Sequence, residues 1–232
     1  MTTFGLVHGA WHGAWCWESV APELVRRGHE VVAVELPSDD AAATFSTYSD
    51  VIVDAMEAAP AGAVLVAHSM AGLSAPIAAS RLPVRAVVFV CGLVAVPGRS
   101  LIDQFIDQPH MLVAGYDAGL GEPDSQGRSR WVDRELARAT LYGDCDEATA
   151  ATAFDRLRPQ GQVTFAEPCP LAELPDVEYA YVLGAEDRLV SPEWSREAAA
   201  ARLGVTPIEV PGSHSPFLAR PGVLADVLSR YA

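Results

Sequence analysis

The chain has 232 residues, half of them hydrophobic, a composition that suits one large globular domain with a substantial core. Its formal net charge of −14 repels nucleic-acid phosphates and anionic membrane surfaces, so we expect neither as a partner. All 16 basic residues are arginine. The lack of lysine excludes Schiff-base catalysis and the lysine-containing phosphate loop.

The four cysteines lie far apart and form no CxxC pair, so we expect reduced, buried thiols rather than a zinc cluster or a disulfide framework. Apolar strand character begins by Phe4, which leaves no room for a signal peptide, and we therefore expect a cytoplasmic protein. A trimmed secreted form is the alternative. No apolar run approaches the ~20 residues that span a bilayer. The cysteines are Cys16, Cys91, Cys145 and Cys169.

Short runs of apolar, β-branched residues recur along the chain and predict strands. Helix-like segments separate most of these runs, a pattern typical of a parallel sheet covered on both faces. The sequence therefore predicts an α/β fold with a central, mainly parallel sheet flanked by helices. The predicted strands are 4–7, 31–34, 63–67, 86–90, 179–183 and 205–210.

Three helices are predicted between the early strands. Residues 22–27 belong to the first, which Gly28 ends, and residues 48–59 form the second. Residues 71–82 form the third, but Pro76 lies inside its pattern. Because a proline removes a helical hydrogen bond, Pro76 should kink this helix or mark a displaced boundary.

Residues 97–175 break the alternation of strands and helices, because they are too many for a plain connection. We predict that they form an inserted subdomain within a single domain, 1–232, with helices over 131–142 and 147–157. An insertion at this point would lie above the carboxyl ends of the strands, where open α/β sheets bind ligands. It is a candidate lid that shapes the pocket and excludes water, the alternative being a packing appendage.

Ser69 lies where a predicted strand meets a helix, in the run Ala67-His68-Ser69-Met70-Ala71. A nucleophilic serine on a strained strand-to-helix turn needs small flanking residues, usually glycine, where this chain has alanine. Serine is a weak nucleophile unless a base takes its proton and a third group orients the base. The role of Ser69 therefore depends on partners elsewhere in the chain.

Candidate partners follow two later strands. Asp187 lies in the turn after 179–183, with Glu186 as its immediate rival, whereas Asp176 precedes that strand and would lie at the wrong end of the sheet. His214 follows the last strand and is the candidate base, the alternative being a histidine on a surface loop. The order serine, acid, histidine is that of the α/β-hydrolases and differs from that of the chymotrypsin and subtilisin families.

The segment after the first strand contains a glycine turn, which can aim a backbone N–H at developing negative charge. We predict that the N–H groups of Ala10 and of Met70, the residue after the nucleophile, form the oxyanion hole. His68 precedes the nucleophile and is expected not to face the reaction.

No cofactor and no metal are predicted. Residues 9–13 lack the glycine spacing of a dinucleotide-binding loop. His8 and His12 are four residues apart, which on a helix could bind zinc, but Gly9 and Gly13 interrupt helical geometry.

Aromatic and aliphatic side chains of the insertion, with one beside the candidate base, indicate a largely apolar substrate pocket. For each of them, packing inside the lid is the alternative. The candidate pocket residues are Phe105, Met111, Trp131, Tyr142 and Phe217.

Four motifs, at residues 8–17, 67–72, 141–145 and 157–159, resemble those of the branch of the α/β-hydrolases that contains hydroxynitrile lyases and plant methylesterases. The resemblance covers most of the chain, is weakest over 98–130, and implies the α/β-hydrolase fold with a helical lid in a bacterial-type esterase. Cyanohydrin-cleaving members carry a lysine directly after the catalytic histidine, where this chain has Ser215. The motifs are His-Gly-Ala-Trp-His-Gly-Ala-Trp-Cys-Trp at 8–17, Ala-His-Ser-Met-Ala-Gly at 67–72, Leu-Tyr-Gly-Asp-Cys at 141–145 and Leu-Arg-Pro at 157–159.

The sequence thus predicts a serine hydrolase that cleaves a carboxylic ester of a small, largely apolar molecule through an acyl-enzyme. A ligand-binding or receptor-like relative with little turnover stays open as the alternative, and a hydroxynitrile lyase is disfavoured. The identity of the ester depends on lid geometry, and the sequence makes no prediction of oligomeric state.

Overall fold

Eight strands are present in the protein, which a computed structural model describes over residues 1–232. They are β1 (Thr3–Val7), β2 (Glu30–Val34), β3 (Val64–His68), β4 (Ala86–Val90), β5 (Arg128–Ser129), β6 (Gln160–Gly161), β7 (Glu178–Gly184) and β8 (Ile208–Val210). Six of them form the central sheet in the order β2-β1-β3-β4-β7-β8, and all its neighbouring pairs run parallel. The short strands β5 and β6 pair antiparallel as a separate ribbon.

All six predicted strands are confirmed. Four of them differ from the prediction by one residue at one or both ends. The last differs by three, because β8 begins at Ile208 rather than at residue 205. Pro207 explains this difference, since proline has no N–H to donate to a neighbouring strand. The inner strands β1, β3 and β4 are buried throughout, as expected for parallel strands that are covered on both faces.

The sheet separates two hydrophobic clusters, because successive side chains of a strand point to opposite faces. Along β3, Leu65 and Ala67 belong to a cluster of 41 buried residues, whereas Val64 and Val66 belong to one of 19. The larger cluster also contains side chains of the insertion, including Trp131. The insertion therefore packs into the main core of the protein.

Helices cover both faces of the sheet. None of them combines the length and hydropathy that a membrane span requires. Short 3₁₀ segments occur at Ala14–Trp17, Ser69–Leu73, Pro109–Met111, Val163–Ala166 and Ser229–Tyr231, and a π-helical turn at Ala199–Leu203. The α-helices are α1 (Val20–Arg26), α2 (Phe45–Met56), α3 (Ala75–Ala79), α4 (Leu101–Asp107), α5 (Arg134–Leu141), α6 (Glu147–Asp155), α7 (Pro192–Ala198), α8 (Pro216–Ala219) and α9 (Pro221–Leu228).

The helix that was predicted over 71–82 is divided into two parts. A 3₁₀ turn, Ser69–Leu73, comes first, and α3 begins at Ala75 with Pro76 in its first turn. A proline is tolerated in a first helical turn, because the N–H that it lacks would have no helical partner there. Pro76 therefore marks a displaced boundary, which was one of the two predicted outcomes.

Residues 97–175 contain α4, α5, α6 and the β5–β6 ribbon. Helices α5 and α6 confirm the two helices that were predicted in this segment. Each is preceded by an N-cap aspartate whose side chain accepts a backbone N–H of the first turn. Near the end of the insertion, Arg156 forms a bidentate ion pair with Glu18. The segment is thus attached to the loop that follows β1.

The four cysteines are buried and unpaired, as predicted.

Close backbone packing behind the β3 turn predicts a large effect at Gly72. A Cβ atom there would overlap the Leu93 carbonyl group and lie 2.9 Å from a Phe89 ring carbon. Because overpacking costs about 1–3 kcal/mol, Gly72→Ala should lower the free energy of unfolding in urea by at least that amount. Gly222→Ala in α9 is the matched control: its Cβ would make only an ordinary contact of 4.0 Å with Glu23 Cδ, and alanine there should stabilise by up to about 1 kcal/mol. Equal stability of the two variants would contradict this account.

Candidate active site

Ser69 occupies the sharp turn between β3 and the 3₁₀ segment that follows it. Its φ of +52° lies in the left-handed region, which costs a non-glycine residue about 1–3 kcal/mol unless its surroundings enforce it. A hydrogen bond of 2.9 Å from the Leu93 N–H to the Ser69 carbonyl helps to do so. The neighbouring chain approaches so closely that a Cβ on Gly9 would lie 2.7 Å from the Ser69 Cβ. The backbone strain expected of a nucleophile elbow is therefore present.

His214 and Asp187 form a buried pair in loops that follow β8 and β7. The Nδ1–H of His214 donates to Asp187 Oδ2 at 2.8 Å, and both side chains are at most 3% exposed. The other carboxylate oxygen accepts the N–H groups of Leu189 at 2.8 Å and Val190 at 3.1 Å. Asp187, and not its exposed neighbour Glu186, is thus the acid that contacts the histidine.

The expectation for His68 was incomplete. It lies directly before Ser69, and its Nε2–H donates to the backbone carbonyl of His214 at 3.1 Å. The two imidazole rings are 4.7 Å apart between centroids. Burial lowers the pKa of His68 well below its ordinary value, so this ring stays neutral. His68 therefore connects the serine turn to the loop of the candidate base.

The turn after β1 carries Ala10, one of the two predicted oxyanion donors. The Nδ1–H of His8 donates to the Gly9 carbonyl at 2.9 Å, while His8 Nε2 accepts the Leu36 N–H at 3.0 Å. A trans peptide points its N–H opposite to its C=O, so this contact also orients the Ala10 N–H. Ala10, Ser69 and Met70 all line one cavity.

A second histidine and a tyrosine continue this network. His12 Nδ1–H donates to the Ala10 carbonyl at 2.9 Å, and the Tyr142 hydroxyl donates to His12 Nε2 at 3.0 Å. Burial lowers the pKa of His12 to about 3. Burial also raises the pKa of the Tyr142 hydroxyl well above its ordinary value. These roles were not predicted from the sequence, because the four-residue spacing of His8 and His12 pointed only to a candidate zinc site.

The cavity beside Ser69 has a volume of about 510 Å³ and a mainly apolar wall. Of the five predicted pocket residues, only Phe105 lines it. Met111, Trp131, Tyr142 and Phe217 are instead packed in the core, each at most 3% exposed. Their large side chains bury more apolar surface there than on a wall. Further apolar wall residues that the sequence did not reveal are Leu93, Leu101, Ile102, Leu112, Tyr116, Leu120, Phe165 and Leu189.

Cys91, Asp187 and His214 are the one cluster whose donor atoms could surround a metal, with those atoms within 4.8 Å of one another. The cluster suits hydrogen bonding better than metal binding. Both carboxylate oxygens of Asp187 already accept hydrogen bonds. Burial raises the pKa of the Cys91 thiol well above its ordinary value, whereas the thiolate is the form that binds metals.

Comparison with known proteins identifies the family. Residues 6–227 match the α/β hydrolase family, and the chain belongs to it. Methylesterase 2 of Arabidopsis thaliana is 26% identical over an alignment 248 positions long, which covers 97% of this chain and 94% of that protein. Esterase PIR7B of Oryza sativa subsp. japonica is 39% identical over 110 residues, 42% of this chain but only 41% of that protein.

Solved structures show the same fold over nearly the whole chain. Polyneuridine aldehyde esterase superposes with a TM-score of 0.84 at 23% identity, covering 99% of this chain and 98% of that one. A pyrethroid hydrolase from Sphingobium faniae JZ-2 superposes with a TM-score of 0.80 at 21% identity, covering 99% and 96%. The α/β-hydrolase fold is thus confirmed, and so is the resemblance of the chain to methylesterases and esterases.

The buried state of His12 predicts a loss of stability in acid. Its pKa is about 3 in the folded protein against an ordinary 6.5, so between these values the unfolded chain binds more protons. The free energy of unfolding should therefore fall with decreasing pH, by up to about 1.4 kcal/mol per pH unit from this group. Urea unfolding at pH 7, 6 and 5 measures the slope.

His12→Asn removes the titrating group and should make that slope shallower. His110→Asn is the matched control, because His110 is an exposed histidine that contacts only Glu197 among charged groups. Identical pH slopes for wild type and His12→Asn would contradict the prediction.

Proposed function

We propose that this protein hydrolyses neutral carboxylic esters of small, largely apolar molecules, with Ser69, His214 and Asp187 as the catalytic triad. The observation that carries this proposal is the buried His214–Asp187 pair, joined through His68 to the strained turn of Ser69 at the wall of an apolar cavity. A serine on an enforced left-handed turn with an oriented imidazole nearby is an arrangement suited to acyl transfer.

The hydrogen bond to Asp187 keeps the proton of neutral His214 on Nδ1 and leaves Nε2 free to act as a base. In the first step the Ser69 hydroxyl oxygen attacks the ester carbonyl carbon, and His214 Nε2 takes the hydroxyl proton. The negative charge that develops on the carbonyl oxygen is stabilised by the N–H groups of Ala10 and Met70. Asp187 stabilises the imidazolium that forms.

Collapse of this intermediate breaks the bond to the alcohol, which leaves with the proton of His214. The acyl group is then an ester of Ser69. A water molecule gives a proton to His214 and attacks the acyl carbon, and a second collapse releases the acid and returns the proton to Ser69. No cofactor takes part in these steps.

The cavity supports the substrate class. Leu101, Phe105 and Leu120 come from residues 97–175, and they line the cavity together with Leu93 and Leu189. We therefore propose that the insertion is the lid that excludes water from the acyl group. Asp117 and Glu122 are the charged residues of the wall, which disfavours substrates that carry a carboxylate.

The relatives support ester hydrolysis as the reaction. Their names describe one as a methylesterase and another as an aldehyde esterase, and a third acts on pyrethroids. Lyase chemistry is disfavoured here, because Ser215 follows His214 and the chain holds no lysine to bind cyanide. The alternative is a ligand-binding protein without turnover, and the next experiment distinguishes the two functions.

Replacement of Ser69 by alanine removes the proposed nucleophile. On p-nitrophenyl esters of increasing acyl length, kcat should fall roughly 10⁴-fold or more, because without the hydroxyl no acyl-enzyme forms. Ser80→Ala is the matched control: the Ser80 hydroxyl donates to the Ile77 carbonyl at the end of α3, and its loss should leave kcat unchanged. Mass spectrometry after a phosphonate probe should find the label on Ser69. Equal rates of wild type and Ser69→Ala on every ester would refute the proposal.

Asp187→Asn tests the acid. It keeps the shape of the side chain but removes the charge that orients and stabilises the imidazolium, so kcat should fall by about 10³- to 10⁴-fold. Glu186→Gln is the matched control at the neighbouring, exposed position and should retain kcat. If Glu186→Gln shows the larger loss, the assignment of the acid is wrong.

A further inference from the structure

Two of the motifs that resemble the methylesterase-like branch have no part in the triad. The first contains His12 and the second contains Tyr142, and the two residues meet in the core. We propose that Tyr142 and His12 are positioning residues that hold the oxyanion-binding turn at Ala10. This inference rests on the proposed function of Ser69.

The direction of each hydrogen bond follows from the chemistry of the groups. A carbonyl oxygen only accepts, so His12 Nδ1 carries the proton that is donated to the Ala10 carbonyl. The ring is neutral, because burial lowers its pKa to about 3, so Nε2 is an acceptor. The Tyr142 hydroxyl must then be the donor to Nε2. Tyr142 thereby selects the imidazole tautomer that can hold Ala10.

These contacts act on the peptide groups on both sides of the Ala10 Cα atom. His8 holds the carbonyl of Gly9, in the peptide group that carries the Ala10 N–H. His12 holds the carbonyl of Ala10 itself, in the next peptide group. With both carbonyl groups directed, rotation about the Ala10 Cα bonds is restricted, and so is the direction of its N–H. Oxyanion donors stabilise a transition state best when their direction is set before the reaction.

The turn needs this support, because Trp11 has a φ of +61°, a strained value for a tryptophan. Two further contacts hold it: the Arg158 N–H donates to the Trp11 carbonyl at 2.7 Å, and the Trp11 indole N–H donates to Ser129 Oγ at 3.0 Å. Arg158, Ser129 and Tyr142 all belong to residues 97–175. The insertion therefore sets the geometry of the oxyanion-binding turn as well as lining the pocket.

His12 and Tyr142 are closely packed, so substitutions that keep the shape of the side chain can isolate the effect of their hydrogen bonds. Its ring packs against Trp15, His68, Tyr142 and Phe217 at centroid distances of 5.5–5.9 Å. Tyr142 is fully buried and His12 is 1% exposed. Tyr142→Phe removes only the hydroxyl. At position 12, asparagine and leucine have nearly the same shape, and asparagine alone keeps a donor near the place of Nδ1.

We expect Tyr142→Phe and His12→Leu to lower kcat by about tenfold or more, because a displaced oxyanion donor loses much of its effect. KM should stay within about twofold, since neither side chain lines the cavity. His12→Asn should recover much of the kcat that His12→Leu loses. Tyr179→Phe is the matched control, because the Tyr179 hydroxyl also donates to a backbone carbonyl, that of Pro175, at 2.6 Å.

The second measurement is the inhibition constant of a trifluoromethyl ketone, whose adduct with the serine places an oxyanion in the same position. It should rise in proportion to the fall in kcat/KM across the variants. Rates are divided by the concentration of active sites, which is measured by titration with a phosphonate. A loss of folded protein is then not mistaken for a misplaced oxyanion donor. Thermal unfolding of each variant records any loss of stability separately.

The outcomes separate this inference from the proposed function. Parallel changes in kcat/KM and in the inhibition constant, with rescue by asparagine, support it. A lower active-site titre with an unchanged inhibition constant would mean that the two residues only stabilise the fold, and it would overturn the inference. Wild-type kcat in Tyr142→Phe and His12→Leu also overturns it, while an inactive Ser69→Ala leaves the proposed function intact. Hydrolysis that persists in Ser69→Ala defeats the proposed function itself.

Discussion

The close approach of three chain segments at the end of β3 is the constraint on which the site depends. The backbone of Ser69 stays in its left-handed conformation because Gly9 lies against it on one side and the Leu93 N–H holds its carbonyl. Gly72 leaves room for the Leu93 carbonyl. Ala67 and Ala71, two residues from the serine on either side, are fully buried, in keeping with the need for small residues at this turn. Tight packing thus holds the strain in place.

Buried imidazoles that donate to backbone carbonyls are the second feature that holds the site together. His8, His12 and His68 each donate one N–H to a backbone carbonyl, of Gly9, Ala10 and His214 respectively. Burial lowers the pKa of His12 and of His68, which keeps both uncharged at neutral pH. A neutral imidazole can donate at one nitrogen and accept at the other, and it can therefore connect segments that are distant in the sequence. Two of these three rings support the turn after β1, and the third supports the loop of His214.

Residues 97–175 contact the site in two ways: they line the cavity, and they form hydrogen bonds with the turn after β1. The insertion supplies part of the apolar cavity wall through Phe105 and Leu120. It also supplies the Tyr142 hydroxyl, which donates to His12, and the Arg158 N–H, which donates to the Trp11 carbonyl. The apolar cavity and the turn proposed to bind the oxyanion are in this way both supported by the same segment, and a change in how it packs would affect both.

Local sequence patterns predicted the strands, the mainly parallel sheet and the candidate residues Ser69, Asp187 and His214, because apolar periodicity and turn residues act over a few neighbours. They failed where distant segments meet. The pocket wall was predicted at Met111, Trp131, Tyr142 and Phe217, yet these side chains complete the core, since burial rewards the largest apolar groups wherever packing admits them. Sequence patterns proposed Asp187 but left Glu186 as its rival, and they said nothing of the tautomer of His12. The tertiary structure decided both, because each is fixed by a hydrogen bond between residues far apart in the chain.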